Sequence, residues 1–99
     1  MSSPFGELKL VYKINKDIDE IKIFEKNFVK NHKDKCNIIY KDNIFLLKEY
    51  FKKKYIEKED NKLIITLIYS EDIYDKSYMF HNCKLLEEIQ IFIMTKTTI

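Results

Sequence analysis

Alanine, arginine and tryptophan are absent from this 99-residue chain, and glycine and proline occur once each. So few chain breakers argue against a long flexible linker. The sole glycine, Gly6, rules out a glycine-rich phosphate loop. No apolar run approaches the roughly 20 residues a membrane-crossing helix needs. Met1-Ser2-Ser3-Pro4-Phe5-Gly6-Glu7 lacks the basic start and apolar stretch of a secretory signal. The expectation is therefore a cytoplasmic chain with reduced thiols and no membrane contact. Two cysteines allow one bridge at most, and that compartment argues against it.

What is present is isoleucine, lysine, asparagine and aromatic rings, with seven Tyr and seven Phe. AT-rich coding produces such a bias without reference to function. Apolar residues at 45% and charged residues at 34% indicate a globular chain, and the length suits one domain. A net charge of +2 is too small to point to nucleic acid by itself.

Residues 1–7 read as a loose lead-in. Leu8, Leu10, Tyr12 and Ile14 then alternate at strand period, as do Ile21 and Ile23 beyond the break at Asn15-Lys16-Asp17. Their closeness suggests an antiparallel hairpin. Residues 25–33 are polar apart from Phe28 and Val29, and predict either a turn of helix, for which Asn27 is the candidate cap, or an irregular loop. Cys36, Ile38 and Tyr40 alternate again and meet Asp42-Asn43, a dipeptide suited to a primed turn. The run Ile44–Leu47 is apolar at every position, which implies a strand covered on both faces or one passing into a helix. Phe51 and Tyr55 lie at helical spacing and allow a short helix there. Residues Leu63–Tyr69, β-branched and apolar on both faces, predict a central strand. Residues 89–93 alternate as a last strand, and 94–99 read as a frayed end or edge strand.

Candidate chemistry is sparse. His32, Cys36, His81 and Cys83 are the soft metal ligands. Four such donors suit tetrahedral zinc if the pairs meet in space, yet His81 and Cys83 stand closer in sequence than zinc motifs usually allow. Small buried cysteines and solvated histidines explain them more simply. A Cys83–His81 nucleophile and base is unfavourable, because residues two apart do not face each other on a helix. The carboxylate groups at Glu57/Glu59/Asp60, Glu71/Asp72 and Glu87/Glu88 read as solvated charge. No reaction, cofactor or small-molecule ligand is expected. Phe51, Lys52, Lys53, Lys54 and Tyr55 interleave rings with cations, a pattern able to stack bases and neutralise phosphates. An apolar anchor beneath a solvated lysine face is the plainer explanation.

The segment Ser77-Tyr78-Met79-Phe80-His81-Asn82-Cys83-Lys84-Leu85-Leu86 resembles the repeat of BspA-like leucine-rich repeat proteins, with its Met-Phe-x-x-Cys core. Met79, Phe80 and Cys83 match that core, and Leu86 and Ile89 fall at the later apolar positions. Ile73-Tyr74-Asp75 suits the approach to such a repeat. Residues 24–50 are similar to the β-rich segment that precedes the repeats in some members, so the resemblance extends over about residues 8–93. It implies that Met79, Phe80, Cys83, Leu86 and Ile89 turn inward. Such repeats stack in arrays of about three or more, whereas this chain holds one. The uncovered repeat face would then rest on the preceding sheet or on a partner.

These readings predict a β-rich α+β domain over residues 8–93. It would have antiparallel hairpins, a central strand, one short helix near Ser77–Cys83 and a single leucine-rich-repeat-like unit at the C-terminal end. The expected role is non-catalytic protein–protein interaction, as an adaptor or accessory subunit. The final strand, with Ile91 and Ile93, would meet a protein partner or a second copy. Nucleic-acid binding through residues 51–55 is the alternative.

Overall fold

The computed structural model describes residues 5–58, 60–69 and 78–94. In chain order its elements are β1 (Phe5–Lys13), β2 (Glu20–Lys22), α1 (Lys26–His32), β3 (Cys36–Tyr40), β4 (Asn43–Leu46), β5 (Tyr50–Lys52), a 3-10 turn (Lys53–Tyr55), β6 (Lys62–Tyr69) and β7 (Leu86–Met94). An antiparallel five-stranded sheet has the order β4-β3-β6-β1-β7, and β2 pairs with β5 in a separate ribbon. The β-rich α+β class is as expected, with a single α-helix among the described residues.

Period-two alternation decides which side chains meet. β1 turns Leu8, Leu10 and Tyr12 to one face, β6 turns Leu63, Ile65, Leu67 and Tyr69, and β3 turns Cys36, Ile38 and Tyr40; all are buried. Over this inner face lie Ile21, Ile23, Phe24, Phe28, Leu47, Phe51, Ile56 and Met79, forming one continuous core with it. The Tyr12 hydroxyl is buried in that core but donates to the Ile23 carbonyl at 2.5 Å, so the phenol keeps a partner. Burial raises the Tyr12 pKa, and nearby Cys83 adds to the rise.

β6 holds the central position its composition predicts. Cover on both faces is not observed: Ile64 is 45% exposed on the outer side, and Thr66 and Ile68 are half-buried. β1 and β2 do not form the expected hairpin. β1 pairs with β6 and β7, and β2 pairs with β5. Alternation specifies which face a residue takes, not which strand it pairs with, and the bonds to distant strands prevailed over the short link. β1 also begins three residues before the alternation expected at Leu8.

The β3–β4 hairpin turns at Lys41-Asp42, both at positive φ (48° and 69°), one residue earlier than anticipated. Two successive left-handed residues make the primed turn that matches strand twist. α1 is capped by Glu25 rather than Asn27: the Glu25 carboxylate accepts from the Phe28 amide at 2.9 Å. The Glu25 amide donates to the Met79 carbonyl at 2.7 Å, tying the helix start to the C-terminal segment.

That segment is not helical where it is described. Tyr78–Asn82 form turns, closed by bonds from the His81 amide to Tyr78 and from the Cys83 amide to Phe80, and Asn82 has φ 65°. A left-handed residue there is incompatible with a continuing helix. Ser77, the 73–75 approach and residues 95–99 lie outside the described residues.

Gly6 stands opposite Tyr69 across the β1–β6 ladder, and the Tyr69 ring lies directly over it. Any β-carbon at position 6 would run into that ring. The chain's sole glycine is thus placed by a close approach.

Candidate functional site

The outer face of the five-stranded sheet and its β4 edge carry the largest apolar exposure among the described residues. Register places Ile44 opposite Ile39 and Leu46 opposite Asn37, so both project on the side away from the core. Ile44 is 72% exposed and Leu46 is 74% exposed. Ile39, Ile64 and Ile68 continue the same face across β3 and β6. Strand β4 is Asn43-Ile44-Phe45-Leu46, with no charge, proline or bulge, and its far side pairs with no described strand. Proteins ordinarily guard such an edge with lysine, proline or a bulge.

The opposite edge, β7, is guarded. Glu87 and Glu88 lie near its start, Glu87 meets the Lys62 ammonium at 2.5 Å, and the pairing with β1 shifts register at Val11/Tyr12. Ile91 and Ile93 pair through their backbones with Leu8 and Gly6, while their side chains lie outside the described part. The more open edge is therefore β4, which the alternation of residues 89–93 did not indicate.

The Phe51 ring is fully buried, packed against Tyr40 and Phe45 with the Lys48 ammonium over it. Lys52 and Lys54 are exposed, and the Lys53 ammonium donates to the Lys16 carbonyl at 2.8 Å. Tyr55 is 44% exposed. These five residues thus divide between core and surface and do not form one continuous platform.

The four soft ligands are not brought to one point. Cys36 lies across from Tyr69 in the sheet, whereas Cys83 lies near Lys22, Glu25 and Glu49. Both thiols are free and buried, and desolvation pushes each up to about 11. They remain protonated at neutral pH and are poor nucleophiles there. His32 donates from Nδ1 to the Phe28 carbonyl at 2.9 Å and stacks on the Phe28 ring. His81 is exposed beside Tyr78. Among the described residues, no three His, Cys, Asp or Glu side chains converge to hold a metal ion.

Of the residues matching the repeat pattern, Met79 and Cys83 are buried, and Phe80 and Leu86 pack partly against the core, with Phe80 stacked on Phe24 at 5.7 Å. Ile89 lies on the inner side of the sheet but remains 44% exposed. It lies opposite Leu10 on an edge strand, where only one flank is covered. No helix among the described residues is long and apolar enough to cross a membrane. The chain matches no model of a known protein family, no curated protein and no solved structure.

Proposed function

We propose that this protein is a non-catalytic protein-interaction module whose working surface is the β4 edge and the apolar outer face beside it, and that its occupant is a second copy of the same chain. The observation that carries this reading is the unguarded Asn43–Leu46 strand with Ile44 and Leu46 in water. An edge strand adds a neighbour through its free backbone groups, and exposed side chains on one face select which neighbour.

The edge is self-complementary. In a two-fold antiparallel pairing centred on Phe45, Ile44 faces Leu46 of the second copy, extending one apolar row across both sheets. A net charge of +2 adds little repulsion between copies. A four-residue edge is short against the roughly 1,600 Å² of a standard interface, so the dimer should depend on concentration. The single repeat-like unit contributes Met79 and Cys83 to the core in this reading and leaves recognition to the sheet.

Nucleic acid is less favoured, because the ring expected to stack, Phe51, is enclosed. Sedimentation equilibrium over a wide concentration range tests the proposal. A monomer–dimer equilibrium is expected for the native chain, and it should be lost in Ile44→Lys/Leu46→Lys. A native chain that stays monomeric at the highest concentration, or a variant that dimerises equally well, would overturn it.

A further inference from the structure

The rings of Phe45, Phe51 and Tyr55 stand as three walls around one point. Their planes meet at 69° (Phe45–Phe51), 63° (Phe45–Tyr55) and 60° (Phe51–Tyr55), with centroids 5.1, 5.7 and 6.0 Å apart. The Lys48 ammonium sits over all three, at 5.0, 5.7 and 5.3 Å from the respective centroids. Each distance falls within the about 6 Å over which a ring face attracts a cation. Among the described residues Lys48 makes no ion pair.

We propose that Phe45, Phe51 and Tyr55 form an aromatic cage for a methylated ammonium group, and that Lys48 is the cage's built-in, displaceable occupant. A primary ammonium is compact and strongly hydrated, and it satisfies its three donors better in water than against ring faces. A trimethylammonium group has no donors, is weakly hydrated, and presents a broad cationic surface to all three walls. The Lys48 stem regains rotamer freedom when it leaves, which favours exchange. The half-exposed Tyr55 ring is the wall on the solvent side, and the buried Phe51 ring is the floor. Tethering makes Lys48 a competitor at high effective concentration, so the native cage binds weakly until that side chain is displaced or removed.

The test is an aromatic NMR titration of the full chain with trimethyllysine amide and, separately, choline, against 3,3-dimethylbutanol as the uncharged choline analogue. Lys48→Ala should bind at least one of the two cations about tenfold more tightly than the native chain, with shifts centred on Phe45 and Tyr55. The uncharged analogue should bind at least about fivefold more weakly than choline. Adding Tyr55→Ala should abolish the response. Preference for trimethyllysine over choline would assign the ligand to a modified protein tail, and the reverse to a free or headgroup choline. Absence of binding by both cations to a Lys48→Ala protein with a folded spectrum would overturn the proposal. Equal binding of choline and its uncharged analogue would do the same. Should Lys48→Ala not fold, Lys48→Gln, which keeps the stem without the charge, takes its place with the same criteria.

Discussion

On the inner face of the five-stranded sheet, Leu10, Ile38, Leu63 and Leu67 lose all contact with water. One position along from Leu63, Ile64 remains nearly half exposed on the outer face, and Ile44 and Leu46 beside it are mostly bare. Isoleucine and leucine populate both sides, so hydrophobicity alone does not decide burial. The difference lies in what crosses over. The inner face receives α1, the β2–β5 ribbon and the Met79 turn, because the segments between strands carry Phe24, Phe28, Leu47, Phe51, Ile56 and Met79 to that side. The described segments bring no comparable anchor to the outer face. An apolar sheet face without its own cover is the feature expected of an interaction surface.

Three substitutions or conditions would break or sharpen this contrast. The largest effect belongs to Leu67→Ala. Leu67 is fully enclosed between β1 and β3 partners, and the cavity should lower stability by about 3 kcal/mol, seen as a lower urea midpoint with an unchanged slope. A loss below about 1 kcal/mol would mean the inner face is not tightly packed.

Next is alkaline pH. Cys36 and Cys83 titrate near 9.0 when unfolded and at about 11 when folded. The folded pKa is the higher one, so the contribution is fully present below pH 9 and is lost as pH rises towards 11. The unfolded chain releases these protons first, which favours unfolding. Denaturant titrations at pH 8 and pH 10.5 should show a steeper loss for the native chain than for Cys36→Val/Cys83→Val. Equal losses would show that the inner face admits a thiolate without penalty.

The smallest effect is expected on the other side. At concentrations where the chain is monomeric, Ile44→Ser/Leu46→Ser should change stability by less than about 0.5 kcal/mol, because both side chains are already in water. A cost comparable to Leu67→Ala would erase the distinction between the faces.

How far the residues foretold this arrangement depends on how local each determinant is. Leu63–Tyr69 was readable as a central strand because seven β-branched or large apolar residues in a row suit little else, and β6 spans Lys62–Tyr69. The second hairpin was readable within one residue. Its turn uses Lys41 at positive φ, and lysine carries no signal for that conformation. Near Phe28 the residues leave a helical turn and an irregular loop both open and favour Asn27 as the cap, because asparagine is a commoner cap than glutamate; the structure has the helix, and Glu25 reaches the Phe28 amide. Pairing partners were not readable. The β1–β6 ladder joins residues 49 to 63 positions apart, and alternation is blind to that distance. The ring box at Lys48 was hidden for a related reason. Phe45, Phe51 and Tyr55 belong to β4, β5 and a 3-10 turn, so no single period aligns them. The exposure of Ile44 and Leu46 was inverted outright, since a continuous apolar run suggested cover that the described chain does not provide.

Gly6 beneath Tyr69 bears on how the sheet finds its alignment. Leu8, Leu10 and Tyr12 recur every two residues, as do Leu63, Ile65, Leu67 and Tyr69, so a slip of two positions between β1 and β6 would still send every apolar side chain inward. Hydrophobic pattern cannot distinguish these alternatives. The Tyr69 ring can, because it fits over a bare α-carbon and, after a two-residue slip, would meet Leu8 instead. A single hydrogen atom in place of a side chain thus acts as an index mark, selecting one alignment of two strands whose lettering would otherwise read the same when shifted.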